Sequence, residues 1–266
     1  MEHTYWRKQS ADKALYDDLL WSRPENKAHA GKLLIVGGNG QGFTRPAQAY
    51  GQAEQAGAGS VRVFMPDSLQ KTIGRAFPAG EFGPSTPSGS FASASLGEIL
   101  PLSSWADGVL IAGDLGRNSE TAIMLEKFIE HYQGQITVTC DAVDYLIATP
   151  YPVLQRPDTL LVLSFAQLQK LGTAIKYSNA FSFNMDLLRL IDSLHELTKR
   201  YKFAVITKHH ENLIIAYEGQ VITMKLAKEL PVWRLNVATF ASVWWLQNPT
   251  KSEAAFSTAI FDFLTN

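Results

Sequence analysis

A single cysteine, Cys140, stands among 266 residues, which excludes an intramolecular disulfide and leaves no thiolate set for a metal cluster. Net charge is nearly absent: 24 Lys and Arg against 25 Asp and Glu give −1. That balance offers no electrostatic attraction for nucleic acid or an anionic membrane. No apolar run approaches the ~20 residues needed to span a bilayer. The opening MEHTYWRKQSADKALYDDLL has acidic residues and no apolar centre, so it does not read as a secretory leader. The expectation is a cytoplasmic protein whose partners are neither nucleic acid nor membrane. What is present is apolar residue, 46% of the chain, enough for the core of one large α/β domain.

Short apolar runs rich in β-branched residues fall at Leu33–Val36, Ser60–Met65, Gly108–Ala112, Ile136–Cys140, Thr159–Ser164 and Phe203–Thr207. They read as strands buried on both faces. Helical patterns separate them at Pro46–Ala56, Ser119–Tyr132, Phe165–Leu171 and Met185–Tyr201; in the last, Leu187, Leu188, Ile191, Leu194 and Leu197 recur at helical spacing. Asn212–Tyr217 and Gln220–Met224 flank Glu218-Gly219 as a hairpin, and helices over Val237–Leu246 and Ser252–Leu264 close the chain. Phe77–Ser95, dense in Pro, Gly and Ser, reads as a loop. The alternation predicts a mostly parallel central sheet with helices on both faces, preceded by a helical extension over residues 1–26.

The glycine-rich turn Gly37-Gly38-Asn39-Gly40-Gln41-Gly42 follows the first of these strands and precedes a helix. Glycine lets backbone approach a ligand closely, and a helix start offers N–H groups to an anion. The dinucleotide fingerprint needs G-x-G-x-x-G and an acidic residue closing the second strand. Here the spacing is G-x-G-x-G and the second strand closes in Phe64-Met65-Pro66, so an NAD(P)-binding oxidoreductase is the minor reading.

From Lys27 to Leu264 the chain resembles the ADP/ATP-dependent NAD(P)H-hydrate dehydratases, a branch of the ribokinase-like carbohydrate kinases. The resemblance lies in the turn at Gly37-Gly38-Asn39, in Gln55-Ala56-Gly57-Ala58-Gly59-Ser60-Val61, in Ala112-Gly113-Asp114-Leu115-Gly116, in Asp141-Ala142 and in Val205-Ile206-Thr207-Lys208. It implies a three-layer ribokinase-like domain over residues 27–266. It also implies an enzyme that uses ATP or ADP with magnesium to phosphorylate hydrated NAD(P)H, whose loss of phosphate restores the cofactor. Gly37, Gly38, Asn39, Gly113 and Gly116 would then line the ligand site, and Lys208 would meet the nucleotide.

The departures from the family pattern fall on its chemistry. The family's G-T/S-G-D motif supplies an anion hole and a base; this chain has Trp233-Arg234-Leu235-Asn236 there. Asn236 occupies the catalytic Asp position, and an amide is no base near neutral pH, where such a base contributes ~10²–10⁴-fold. Asn236 is expected instead to cap the following helix. The family's His-containing loop is reduced to Ser164-Phe165-Ala166-Gln167, His209 replaces the Gly after Lys208, and a small Gly-Ala pair becomes Thr44-Arg45. The expectation is a member that has lost repair activity and retains at most metabolite or nucleotide binding; the alternative is an active dehydratase with a relocated base. A protein partner or a homo-oligomer is compatible with either.

Arg45 is open to two roles: anchoring a small anion at the first turn, or pairing with a carboxylate such as Glu81 or Asp114. His209 and His210 are adjacent on a strand and point to opposite faces, so they do not form a metal pair, and no metal site is expected.

Overall fold

The computed structural model describes residues 4–230 and 232–265. Ten strands form one sheet: β1 (Trp6–Gln9), β2 (Lys32–Gly37), β3 (Ser60–Pro66), β4 (Gly80–Gly83), β5 (Gly108–Gly113), β6 (Gln135–Thr139), β7 (Thr159–Val162), β8 (Ala204–His209), β9 (Asn212–Tyr217) and β10 (Gln220–Lys225). Their spatial order is β1-β10-β9-β8-β7-β6-β5-β2-β3-β4. Only the pairings of β9 are antiparallel.

Helices cover both faces. Along β2, Leu33 and Ile35 face one core while Leu34 and Val36 face the other, the period-two alternation of a strand buried on both sides. The first layer holds α1 (Asp17–Trp21), α2 (Thr44–Gln55), α3 (Gln70–Ile73), α10 (Trp233–Gln247) and α11 (Ser252–Thr265). The second holds α4 (Leu96–Trp105), α5 (Ser119–His131), α6 (Ala142–Ala148), α7 (Tyr151–Leu154), α8 (Phe165–Ala174) and α9 (Leu187–Arg200). Small Ala49, Ala53 and Ala56 let α2 lie close under α10, where Trp244 and Trp245 are fully buried. Among the described residues no helix is long and apolar enough to cross a membrane.

The α/β architecture expected from the alternation is the one observed; α3, α4, α6 and α7 fall where the sequence reading placed no helix, and three further differences stand out. Of the helical extension expected over residues 1–26, residues 1–3 lie outside the described residues, and the rest holds helix α1 but also the strand β1, which pairs in parallel with β10. Its Trp6 indole donates to Thr223 Oγ1 at 2.9 Å, so a polar-looking Trp-Arg-Lys-Gln run satisfies an otherwise open edge. The segment Phe77–Ser95, expected to be all loop, contains β4, paired only with β3. At Gly83 a Cβ would lie 2.3 Å from the Phe64 ring, so the glycine that disguises this strand is what lets it pack. Finally, α10 starts at Trp233 rather than Val237, and Asn236 is inside its first turns instead of capping it; the N-cap is Val232, with no side-chain cap. Trp233, Arg234 and Leu235 are all better helix formers than glycine, so the helix runs one turn further back.

Candidate ligand cleft at the carboxyl ends of the strands

The carboxyl ends of β5, β6 and β7 open onto a cleft of about 670 Å³, where open α/β sheets place their ligands. Thr44, Arg45 and Gln48 of α2 form one wall; Asp114, Cys140 and Ser164, each just past a strand, form the floor; Val232 to Leu235 at the start of α10 form the opposite wall.

The first glycine turn lies beside this cleft with its donors already engaged. Gly38 N–H donates to the Gly113 carbonyl (3.0 Å), Asn39 N–H to Gly42 (2.9 Å), Gly40 N–H to Gly89 (2.7 Å) and Gly42 N–H back to Asn39 (2.9 Å). Gln41 N–H donates to Asn39 Oδ1 at 2.8 Å, and the Asn39 amide donates to the Asp114 carbonyl at 2.6 Å. Gly37 is required by packing, because a Cβ there would lie 2.4 Å from the Gly113 carbonyl and 2.8 Å from Pro46. The turn is glycine-rich so that β2, β5 and the 85–91 loop can close on each other.

The second turn, Gly113 to Gly116, is satisfied by Asp141. Its carboxylate accepts from Asp114 N–H (2.8 Å) and Leu115 N–H (2.9 Å) and pairs with Arg45 Nη1 at 2.6 Å. The same guanidinium meets Asp114 Oδ1 at 3.0 Å, while Arg45 N–H donates to Asp114 Oδ2 at 2.8 Å. Of the two roles open to Arg45, the geometry supplies the carboxylate partner, Asp114, with Asp141 as a second; Glu81 pairs with Arg62 instead, at 3.4 Å. Gly113 has φ +103°, and a Cβ on it would fall 2.4 Å from Asp141 Oδ1. Gly116 has φ +74°, and its carbonyl accepts from Tyr145 OH at 2.9 Å.

Two non-glycine residues beside the cleft, Asp114 (φ 58°) and Cys140 (φ 57°), adopt the left-handed conformation, at a cost of roughly 1–2 kcal/mol for an L-residue. Cys140 is fixed there by Gln167, whose amide donates to its carbonyl at 2.8 Å. Burial pushes the Cys140 thiol above its ordinary pKa, outweighing the opposite pull of Arg45 and Arg234.

Asn236 is not part of the cleft wall. Its Oδ1 accepts from Gln52 Nε2 of α2 at 2.5 Å, within the α2–α10 contact. Lys208, at the end of β8, lines a separate depression with His210, Glu211 and Lys228. His209 has its ring against Phe165 and Nε2 3.1 Å from the Met185 carbonyl; contrary to the expectation of opposite faces, its ring centroid lies 4.2 Å from that of His210, because β8 ends at His209 and His210 takes φ 50°. The structure thus brings Gly37, Gly38, Asn39, Arg45, Gly113 and Gly116 together, and sets Asn236 and Lys208 apart from them. Sequence reasoning missed Asp141 as the clasp of this region and Arg234 as a cleft-facing cation. An acidic residue two positions after β6, bonded to Asp114 and Leu115 N–H, was the available signal for the first.

No family model matches the chain. The sequence is similar to the bifunctional NAD(P)H-hydrate repair enzyme Nnr of Methanothermobacter thermautotrophicus, 29% identical over 195 residues that make up 71% of this chain and 36% of that protein. The chain therefore spans about a third of the length of this curated relative. A ribokinase-like superfamily protein from Enterococcus faecalis superposes with a TM-score of 0.70 at 15% identity, over 98% of this chain and 88% of that one. An ADP/ATP-dependent NAD(P)H-hydrate dehydratase from Bacillus subtilis, co-crystallized with ATP and Mg²⁺, superposes at 0.60 with 9% identity, over 89% and 79%. The fold is ribokinase-like, and the sequence similarity is to the NAD(P)H-hydrate repair enzymes.

Proposed function

We propose that the chain is a protein of NAD(P)H-hydrate dehydratase type that has lost ATP- or ADP-dependent repair and uses its cleft only to bind a small metabolite. The observation that carries this reading is the hydrogen bond from Gln52 to Asn236. The position corresponding to the base holds an amide, and that amide is bonded to Gln52 of α2 and is not among the residues lining the cleft.

ATP with magnesium is poorly matched by the residues present. A phosphate chain is held by unengaged backbone N–H groups and cations. The amides from Gly38 to Gly42 are bonded within the chain, as are those of Asp114 and Leu115. Magnesium takes carboxylate oxygens, and Asp114 and Asp141 are paired with Arg45. An active enzyme with a relocated base would have to use Asp114, the carboxylate in the cleft wall among the described residues, with both oxygens already bonded to Arg45.

Thermal denaturation with millimolar ATP and magnesium tests this. Ligand present at its Kd adds about 0.4 kcal/mol to the stability of the native state, which corresponds to roughly 1–2 °C for a domain of this size. The expected shift is no larger than that. A rise of several degrees would mean that the cleft still holds nucleotide.

A further inference from the structure

The two arginines of the cleft differ in what they already hold. Arg45 is shared between Asp114 and Asp141, at 3.0 and 2.6 Å, so its charge is more than offset. Arg234, on the opposite wall, donates from Nη1 to Gln167 Oε1 at 2.9 Å. Among the described residues no carboxylate pairs with it, and its Nε and second Nη have no acceptor.

Arg234 is nonetheless held in place. Gln167 is 5% exposed, and its oxygen also accepts from Ser164 N–H at 3.1 Å. Its nitrogen bridges the Cys140 carbonyl (2.8 Å) and Asp144 Oδ2 (2.9 Å). A buried amide with both ends satisfied is a rigid post, and it holds one end of the guanidinium in the cleft lining. Val232, Trp233 and Leu235 beside it form an apolar wall, with Trp233 half-buried against the core. A guanidinium with open donors and an indole lining the same cleft suit a ligand with an anionic head and a flat apolar body.

Charge decides the head group. Asp114 and Asp141 are both bonded to Arg45, and Arg234 is the cation of the cleft that no carboxylate partners among the described residues. A single carboxylate matches it bidentately; a polyphosphate would bring several negative charges toward Asp114 and Asp141. We propose that the cleft binds a small planar monocarboxylate, its carboxylate on Arg234 and its body against Trp233. Gln167 is the positioning residue. This rests on the reading that the cleft no longer serves nucleotide-dependent repair.

The test is an NMR titration of the full chain with sodium benzoate, following the Trp233 indole N–H, assigned with Trp233→Phe. A saturable shift is expected with benzoate and none with benzamide, its neutral counterpart. Arg234→Gln should weaken benzoate binding at least about tenfold, as loss of a charge-assisted pair does, with an unchanged far-UV spectrum. Equal responses to benzoate and benzamide would overturn the proposal without relying on any variant. So would unchanged affinity in Arg234→Gln, or tighter binding of ATP that displaces benzoate. Absence of both benzoate binding and turnover of hydrated NADH overturns this inference and leaves the lost-repair reading standing. Turnover overturns that reading and this inference with it.

Discussion

Cys140 shows how a residue can stand at a ligand cleft and still be chemically quiet. It lines the cleft wall but is 5% exposed, and burial raises its thiol pKa despite the two nearby arginines. The thiolate is the nucleophile, and each unit of pKa above the working pH lowers its population tenfold. Iodoacetamide at mildly alkaline pH should therefore modify the folded chain at least about tenfold more slowly than the urea-unfolded chain. Equal rates would mean that Cys140 is open and ionised. Arg45 teaches a related lesson. Its replacement of a small residue was visible in the sequence, and so was Asp114 as one partner. The second partner, Asp141, was not, because its role depends on β5 and β6 ending level, which spacing alone does not reveal.

At the scale of elements, the glycine turns are joints. The turn after β5 has its backbone donors closed by Asp141, with two N–H bonds and one guanidinium on a single carboxylate. Hydrogen bonds to charged groups contribute ~1.5–3 kcal/mol each, and the Asp141 side chain is partly open to solvent. Asp141→Ala should accordingly destabilise the fold by about 2–4 kcal/mol in urea denaturation. A loss under ~0.5 kcal/mol would show that water replaces the carboxylate without cost. The central strands were legible because they are apolar, β-branched runs bounded by glycine. The hairpin was legible from Glu218-Gly219, which take φ of 48° and 76°, the geometry of a type I′ turn. By contrast, β1 and β4 were hidden. Edge strands bury less, and here one is polar and the other carries glycines at both ends. The early start of α10 was hidden too, since a resemblance that places glycines there conceals the helix-forming tendency of Trp233, Arg234 and Leu235.

For the whole molecule, the two layers and the sheet between them let a ribokinase-like fold stand independently of the residues at its cleft. The core residues of β2, β5, β6 and α10 are buried and mutually packed, whereas the cleft is built from residues just past the strand ends and from the first turns of α2 and α10. Substitutions at those positions alter chemistry and leave the core intact. The central claim is that this cleft no longer repairs hydrated NAD(P)H, and the most direct measurement is formation of NADH from hydrated NADH with ATP or ADP and magnesium, beside an active dehydratase of the same fold. No rate above the uncatalysed background is expected for the wild type. None is expected for Asn236→Asp either, because the restored carboxylate would remain at Gln52, outside the cleft wall. A wild-type rate within about tenfold of the active enzyme, less than the ~10²–10⁴-fold that a base supplies, would contradict the account.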